Sequence, residues 1–175
     1  IIHMAAQPLV LESYRIPRET FETNVMGTVN ILDAAFATEF VKGVVVVTTD
    51  KVYRNDNLGM KFVESDAFAG KDPYSASKVG TESVVAAWQQ ISKMSKGPKV
   101  VAARAGNVIG GGDWASDRIL PDAIGALAAG KPLEVRNPKS VRPWQHVLEP
   151  LSGYLLLGAR MGGVGTPSPH HFCEG

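Results

Sequence analysis

Cysteine, long apolar runs and an excess of either charge are all scarce in this chain of 175 residues. The single cysteine, Cys173, excludes an internal disulfide framework and favours a reducing compartment. No apolar stretch approaches the ~20 residues of a membrane span, and no basic segment precedes an apolar one as in a secretion signal. The formal net charge of +1, without a basic run, gives no reason to expect nucleic acid as a partner. These absences predict a cytoplasmic protein that binds neither membranes nor nucleic acid.

A phosphate-binding glycine turn between a strand and a helix is also missing from the sequence. The glycine run at 110–112 has the wrong context for such a turn and favours a flexible loop. The chain opens on Ile1-Ile2-His3, which is typical of the second half of a buried strand, and it closes without a terminating pattern. We therefore expect an internal part of a longer protein, inactive by itself. The pair His170-His171 near Cys173 predicts no metal site, because adjacent side chains point apart and no fourth ligand is visible.

Helix and strand patterns alternate along the chain, which is long enough for one sizeable core and too short for two full domains. Residues 44–47 are four valines and, like residues 100–103, predict a strand buried on both faces. Pro17 can open a helix before the first of these strands, and Gly43 is predicted to end it. Apolar residues recur in this helix at intervals of three and four, at Phe21, Val25, Val29, Leu32, Phe36 and Phe40. The strand–helix–strand order predicts an α/β fold with a doubly wound parallel sheet.

The later elements are predicted with a weaker pattern. A polar loop is expected at about 54–71, followed by a helix that runs from Asp72 past Ile91 and is broken by Lys96-Gly97-Pro98. Beyond the glycine run we expect a helix at 119–129, a short strand at 133–136 and a last helix at 147–161.

The start of the helix after Asp72 carries the most informative pair of residues. Asp72 is a suitable N-cap, and Pro73 has no N–H to lose at the first helical position. The spacing of four then places Tyr74 and Lys78 on one face, one turn apart. A phenol titrates near pH ~10, and a neighbouring cation favours its ionised form. A Tyr/Lys pair at this spacing is often only a surface contact, so its meaning depends on the neighbouring segments.

Polar residues directly follow the strand at 44–47. They are Thr48, Thr49, Asp50 and Lys51, and Ala105 with Asn107 stands at the end of the next strand. In doubly wound sheets, ligands gather outside the carboxyl ends of the strands. A solvated turn would explain Asp50-Lys51 in an arbitrary sequence. Beside the Tyr74 helix, however, the same residues predict an acid/base cluster at a binding site.

Several separated segments also carry a resemblance that covers nearly the whole chain. They are His3-x-Ala5-Ala6-Gln7-Pro8-Leu9-Val10, Thr23-Asn24-Val25-x-Gly27-Thr28, Thr49-Asp50-Lys51, Tyr74-x-x-x-Lys78, Asn107-Val108-Ile109-Gly110-Gly111-Gly112-Asp113-Trp114 and Arg142-Pro143-Trp144-Gln145-His146-Val147-Leu148-Glu149-Pro150. With these motifs the chain resembles the extended short-chain dehydrogenase/reductase family and, within it, the dehydratases that act on CDP-glucose. The resemblance implies a partial Rossmann-like NAD-binding domain with the catalytic segments over 1–109 and a partial sugar-nucleotide-binding region over 110–175. It also implies that the family's amino-terminal glycine-rich strand–helix unit is absent from these residues.

The resemblance implies a lyase that forms CDP-4-dehydro-6-deoxyglucose and regenerates its NAD. Tyr74 would take the proton of the sugar 4-hydroxyl while hydride leaves C4, and Lys78 would lower the pKa of Tyr74 and bind the nicotinamide ribose. The 4-keto group acidifies the proton on C5, so that water is lost across C5 and C6 and hydride returns to C6. Asp50, if protonated, would be the acid for the departing 6-hydroxyl, and Thr49 would hydrogen-bond near the 4-hydroxyl. Lys51 stands where many relatives have glutamate as the C5 base, and it can serve only when burial or cationic neighbours keep it neutral.

The remaining site residues follow from the same resemblance. NAD would be held by Ala5, Ala6, Gln7, Asn24, Thr48, Tyr74, Lys78 and Ala105, and CDP-glucose by Thr49, Asn107 and Arg142. An Arg fork suits phosphate, although Arg142 could equally be a surface ion-pair partner. Trp114 and Trp144 can pack on the nucleotide base or belong to the core or rim. A homo-oligomer, dimer or tetramer, is implied through the helices around 18–40 and 74–93.

Two other interpretations stay open. A sugar-nucleotide epimerase, or a 4,6-dehydratase for another nucleotide, would share the Tyr74/Lys78 pair, but an epimerase does not need Asp50-Lys51. A truncated module that retains only oligomerisation surfaces would need neither.

Overall fold

The computed structural model describes residues 1–56, 59, 61–115 and 117–163. Its strands are β1 (Ile2–His3), β2 (Gly43–Val47), β3 (Lys99–Ala103), β4 (Asn107–Ile109) and β5 (Trp144–His146). Its α-helices are α1 (Val10–Arg15), α2 (Pro17–Phe21), α3 (Gly27–Phe36), α4 (Pro73–Ser95), α5 (Ile119–Ala128) and α6 (Leu148–Met161). A turn of π-helix, Glu22–Met26, joins α2 to α3, and a 3-10 turn, Asp50–Val52, follows β2.

The main sheet is parallel, with β2 in the middle of the order β1-β2-β3. Val45 lies opposite Ile2 on one side and Val101 on the other. The helices α1 to α3 connect β1 to β2, and α4 connects β2 to β3. The alternation predicted from the sequence is therefore confirmed.

Helices cover both faces of this sheet, which explains why the valines of β2 do not alternate with polar residues. Val44 and Val46 pack in one cluster with Leu32 of α3 and Val85 of α4. Val45 belongs to a second cluster that contains Tyr154, Leu151, Leu157 and Met161 of α6. Val44, Val45 and Val46 are fully buried. The predicted doubly wound α/β architecture is confirmed.

The predicted end of the first long helix was wrong. Pro17 does open α2, but the helical run ends at Phe36, with Ala37 as its cap. Phe40 lies beyond it and is 81% exposed. Gly43 instead begins β2, where a Cβ would stand 2.9 Å from the Cβ of Met161. The glycine at this position permits close packing of α6 on the sheet and does not end a helix.

The predicted strand at 133–136 was also wrong, because these residues have no strand conformation. A second, two-stranded parallel sheet forms from β4 and β5, with Val108 opposite Gln145. Each of these strands has three residues, too few to show a period, and their pairing depends on a partner far along the chain. The predicted helices at 119–129 and 147–161 agree with α5 and α6 within one residue at each end. The division of the chain at residues 109 and 110 stays a prediction.

In the part of the chain that the structure describes, no helix combines the length and the apolar composition that crossing a membrane requires. No cluster of three or more metal-ligating side chains occurs within those ranges either. His170, His171 and Cys173 lie outside the described residues.

Candidate active site

The start of α4 is fixed by its own sequence and by α1. Asp72 is the N-cap and accepts from Ser75 N at 2.9 Å, while Asp72 N donates to Ser75 Oγ at 3.1 Å. Pro73 occupies the first turn, as predicted. Tyr74 N donates to Ser13 Oγ of α1 at 3.1 Å. Two of the backbone N–H groups that a helix start leaves without an intrahelical partner, those of Tyr74 and Ser75, are thus hydrogen-bonded, and the bond from Tyr74 ties its backbone to α1.

The carboxyl end of β2 is held against the end of β3 beyond both strands. Thr48 N donates to Ala103 O at 2.8 Å, and Asp50 N donates to Ala105 O at 3.1 Å. Thr49 caps the following 3-10 turn, because its Oγ1 accepts from Lys51 N at 3.3 Å. The turn therefore presents Thr49 and Asp50 at the sheet edge where ligands of parallel sheets bind.

Tyr74 reaches this turn, and the residue is 8% exposed. Burial raises the pKa of Tyr74, and a hydrogen bond to the Thr49 side chain opposes that rise. The negative charge of Asp50 raises the same pKa further, whereas Arg118 lowers it. The lowering that we expected from Lys78 is not among the effects on this pKa, and desolvation, which disfavours the phenolate, is the largest of them.

Lys78 lies one turn after Tyr74 and is 5% exposed. Its Nζ donates to the carbonyl of Val47, the last residue of β2, at 3.1 Å. Burial lowers the pKa of Lys78 to about 8, and the charge of Glu82 opposes this. The amine therefore lies beneath the strand end, close to its titration range at neutral pH.

The burial of Lys78 predicts a pH dependence of stability. The pKa falls from 10.5 to about 8 on folding, so the unfolded chain binds more protons between these values. The free energy of unfolding should therefore rise with pH from about 8 to 10.5, and below about 8 the burial cost is present in full. The shift corresponds to roughly 3 kcal/mol.

Urea denaturation at a series of pH values measures this contribution. Methionine cannot titrate, so Lys78→Met lacks this contribution. Between neutral pH and the pKa of an unfolded lysine, the free energy of unfolding of the wild type should rise by up to roughly 3 kcal/mol relative to that of Lys78→Met. Parallel stability curves for the two proteins would contradict the assignment.

Asp50 and Lys51 differ in their surroundings. Burial raises the pKa of Asp50, against the hydrogen bond from Thr49 and the charges of Lys51 and Arg142. Thr49 Oγ1 donates to Asp50 Oδ1 at 3.2 Å. Lys51 is exposed, with its Nζ 5.8 Å from the centre of the Tyr74 ring. The described structure thus supplies the burial that a protonated Asp50 needs, but not the burial that a neutral Lys51 needs.

Asn24 links the first segment of the chain to α4. It is fully buried in the π-helical turn, and its Nδ2 donates to Ser77 Oγ at 2.9 Å. Its Oδ1 accepts from Gln7 N at 2.8 Å, and its carbonyl accepts from Thr81 Oγ1 at 2.9 Å. A π-helical turn widens the spacing of backbone carbonyls, and such turns are frequent at functional sites. Asn24 therefore orients α4 relative to the segment after β1.

A cleft of about 880 Å³ opens beside these residues. Its walls include four of the five predicted catalytic residues and all the predicted substrate-binding residues, which are Thr49, Asp50, Lys51, Tyr74, Asn107 and Arg142. Of the predicted NAD-binding residues, only Tyr74 lines this cleft among the described residues. Ala5, Ala6 and Gln7 follow β1, and Thr48 and Ala105 follow β2 and β3, so this group lies along the adjacent sheet edge. Trp144 lines the cleft, whereas Trp114 is 80% exposed outside its walls.

Sequence reasoning missed several residues that support this site. Glu82 lies four residues after Lys78, and the same spacing that paired Tyr74 with Lys78 could have found it. Arg104 directly follows β3 and binds Glu82. Ser13 had no local signal, since its contact with Tyr74 depends on the packing of α1 on α4.

The structure combines three features. They are a parallel sheet with helices on both faces, a Tyr/Lys pair at the start of α4 and a polar turn at the carboxyl end of β2. This combination defines a Rossmann-type protein of the short-chain dehydrogenase/reductase class. The comparisons with known proteins agree with that class and narrow it.

A family model described as GDP-mannose 4,6 dehydratase matches residues 1–160. The CDP-glucose 4,6-dehydratase of Salmonella typhimurium is 45% identical over 166 residues, which are 92% of this chain and 46% of the relative. Among solved structures, a double mutant of dTDP-glucose 4,6-dehydratase from Streptomyces venezuelae, with NAD and DAU bound, is 29% identical, with a TM-score of 0.79 over 93% of this chain and 48% of that one. The Pseudomonas aeruginosa protein RMD, complexed with NADPH, is 28% identical, with a TM-score of 0.78 over 90% and 55%.

The chain belongs to the GDP-mannose 4,6 dehydratase family. This confirms the resemblance found in the sequence. The chain spans about half the length of the Salmonella relative.

Proposed function

We propose that the whole protein is a lyase that converts CDP-glucose to CDP-4-dehydro-6-deoxyglucose with NAD. The observation that carries this proposal is the pairing of Asp50, whose pKa burial raises, with Tyr74 through Thr49. A proton acceptor and a proton donor thereby stand at one wall of one cleft. Oxidation of the 4-hydroxyl needs the acceptor, and the loss of water that follows needs the donor for the departing 6-hydroxyl.

The residues along the sheet edge fit a dinucleotide cofactor. Alanines at positions 5, 6 and 105 leave the ends of β1 and β3 open to close approach of a flat ring. Lys78 uses one of its three N–H donors on Val47 O, which leaves two for ribose hydroxyls among the described contacts. Ala5, Ala6, Gln7, Asn24, Thr48, Tyr74, Lys78 and Ala105 would hold NAD. When bound, NAD supplies a hydride acceptor for C4 of the sugar and a positive ring that favours the phenolate of Tyr74.

The chain's own residues then handle the protons. Tyr74 takes the proton of the 4-hydroxyl, and Thr49, already hydrogen-bonded to the phenol, orders the same region. Lys78 supplies positive charge beneath the site. Asp50 gives its proton to the departing 6-hydroxyl. Lys51, exposed at the mouth of the cleft, is the proposed base at C5 only if substrate or the rest of the protein buries it.

The diphosphate would be held by Asn107 and Arg142, both in the cleft wall. Arg142 is exposed, and its charge already acts on Asp50, so it stands within electrostatic reach of the catalytic turn. Its planar guanidinium can bind two phosphate oxygens at once.

Product analysis of the purified whole protein tests this function. With NAD present, we expect CDP-glucose to lose one water and to show a 4-keto-6-deoxy sugar by NMR. UDP-glucose, dTDP-glucose and GDP-mannose serve as matched substrates that differ in the base, and the last also in the sugar. A product that retains its water and differs only in configuration would favour an epimerase and defeat the proposal.

We also propose a cytoplasmic homo-oligomer, a dimer or tetramer. The support is an exposed set of apolar side chains on the π-helical turn, α3 and α4, which are Met26, Ile31 and Ile91. Light scattering after size-exclusion chromatography of the whole protein measures the state, and a monomer at micromolar concentration would contradict it.

A further inference from the structure

Glu82 continues the face of α4 that carries Tyr74 and Lys78. These three residues follow one another at intervals of four, so they lie one above another along the helix. Glu82 is 5% exposed. Burying a carboxylate costs free energy unless it is paired and hydrogen-bonded. The partners of Glu82 therefore show which parts of the structure it connects.

The partners of Glu82 come from the ends of two strands. Arg104, the residue after β3, donates from Nε to Oε1 at 2.7 Å and from Nη2 to Oε2 at 2.8 Å. Thr48, the residue after β2, donates from Oγ1 to Oε1 at 2.5 Å. One carboxylate on α4 therefore joins the carboxyl ends of β2 and β3.

Arg104 extends this connection to the loop after the catalytic turn. Its Nη1 donates to the Tyr53 hydroxyl at 2.9 Å and to Glu64 O at 3.2 Å. Its guanidinium carbon lies 4.8 Å from the centre of the Phe68 ring. Only 18% of the Arg104 side chain and 4% of the Glu82 side chain are exposed. The pair is thus desolvated and enclosed, unlike the surface ion pairs that contribute little.

We propose that the Glu82–Arg104 pair is a positioning element of the active site, which fixes where Thr49 and Asp50 stand relative to Tyr74. Thr48 is bonded to Glu82 and is the neighbour of Thr49, so a shift of the pair moves the catalytic turn. Neither Glu82 nor Arg104 is among the described residues that line the cleft, so the pair acts through its neighbours and not on substrate. The inference rests on the proposed dehydratase function, because the rate that the pair is expected to affect is the rate of that reaction.

The same pair also supports the charge on Lys78. The groups that face Lys78 are Glu82 on α4, His3 on β1 and the Val47 carbonyl of β2. Of these, Glu82 is the charge that raises the pKa of Lys78 against burial. Loss of the Glu82 charge should therefore let Lys78 lose its proton at lower pH.

Glu82→Gln in the whole protein tests the inference, because glutamine keeps the shape but loses the charge. We expect kcat for dehydration of CDP-glucose to fall roughly 10²-fold, as for a small displacement of catalytic groups, with KM within about threefold. The alkaline limb of the pH profile for NADH formation, a step in which Asp50 donates no proton, should move to lower pH because Lys78 loses its proton sooner. In the substrate-free protein, hydrogen exchange at the amides of Thr48 and Asp50 should speed up by roughly tenfold or more relative to Val45.

Glu22→Gln is the matched control, since Glu22 pairs with exposed Arg18 at 2.7 Å and should change none of these quantities. Arg104→Lys keeps the positive charge but loses the planar fork, so its kcat and its exchange rates should lie between those of wild type and Glu82→Gln. If Glu82→Gln does not fold, the same measurements are made on Arg104→Lys. Unchanged kcat per folded molecule, pH profile and exchange at Thr48 and Asp50, with only global stability reduced, would overturn the inference. If wild type forms no dehydrated product, the proposed function fails, and exchange at these two amides still decides whether the pair positions the turn.

Discussion

Tyr74→Phe in the whole protein should abolish oxidation of the sugar at C4 while leaving nucleotide-sugar binding nearly unchanged. The phenol oxygen is the proposed proton acceptor, and general acid–base catalysis typically contributes ~10²–10⁴-fold. Phenylalanine retains the ring and therefore the packing of a side chain that is 8% exposed. The variant should lose the reaction without losing the fold.

Absorbance of NADH in a single turnover measures this step directly. Tyr154→Phe is the matched control, because Tyr154 is a buried tyrosine of α6 in the core cluster around Val45 and lies away from the cleft. It should leave the NADH signal intact. Normal NADH formation by Tyr74→Phe would remove Tyr74 from its proposed role.

Local sequence patterns predicted the elements that depend on local physics. Asp72 and Pro73 begin α4 as expected, and α4 ends at Ser95, directly before the predicted break at Lys96-Gly97-Pro98. The valines at 44–47 predicted a strand buried on both faces, and α6 and the α3–α4 pair cover those faces. Helix caps and an unbroken run of apolar residues are local signals, and for elements that carry them the sequence alone predicts the structure.

Elements that depend on distant partners could not be predicted in this way. β4 and β5 pair with Val108 opposite Gln145, and neither three-residue segment is distinctive alone. Gly43 suggested a helix end by its usual preference, but its role follows from contact with Met161, more than a hundred residues later. Tertiary packing overrides local preference at both places.

The candidate site, too, was predicted from the sequence only in part. Tyr74, Lys78 and Asp50 follow from helix spacing and strand ends, and the structure brings Tyr74 and Asp50 to one cleft wall. The direction in which the pKa of Tyr74 shifts did not follow, because the sequence shows the neighbouring lysine but not the burial, which is the largest effect on this pKa. The spacing in the sequence shows which groups are neighbours, whereas their pKa values also depend on burial, which only the structure shows.

Asp50→Asn should separate the two halves of the proposed reaction. The Tyr74 phenol stays intact, so C4 oxidation should proceed, but an amide cannot give a proton to the departing 6-hydroxyl. Loss of water should slow by ~10²–10⁴-fold. Hydride cannot return to C6 until water has left, so NADH should appear at a normal rate and then persist.

The pH dependence adds a second readout of the same residue. Burial raises the pKa of Asp50, so the proton is retained to higher pH than on an exposed aspartate. In wild type, the rate of water loss should fall as pH rises through that pKa, and the Asp50→Asn variant should lack this limb. Asp33→Asn, the same change at an exposed position on α3, is the control and should behave as wild type. Undiminished formation of the 4-keto-6-deoxy product by Asp50→Asn, with no lasting NADH, would show that another group donates the proton.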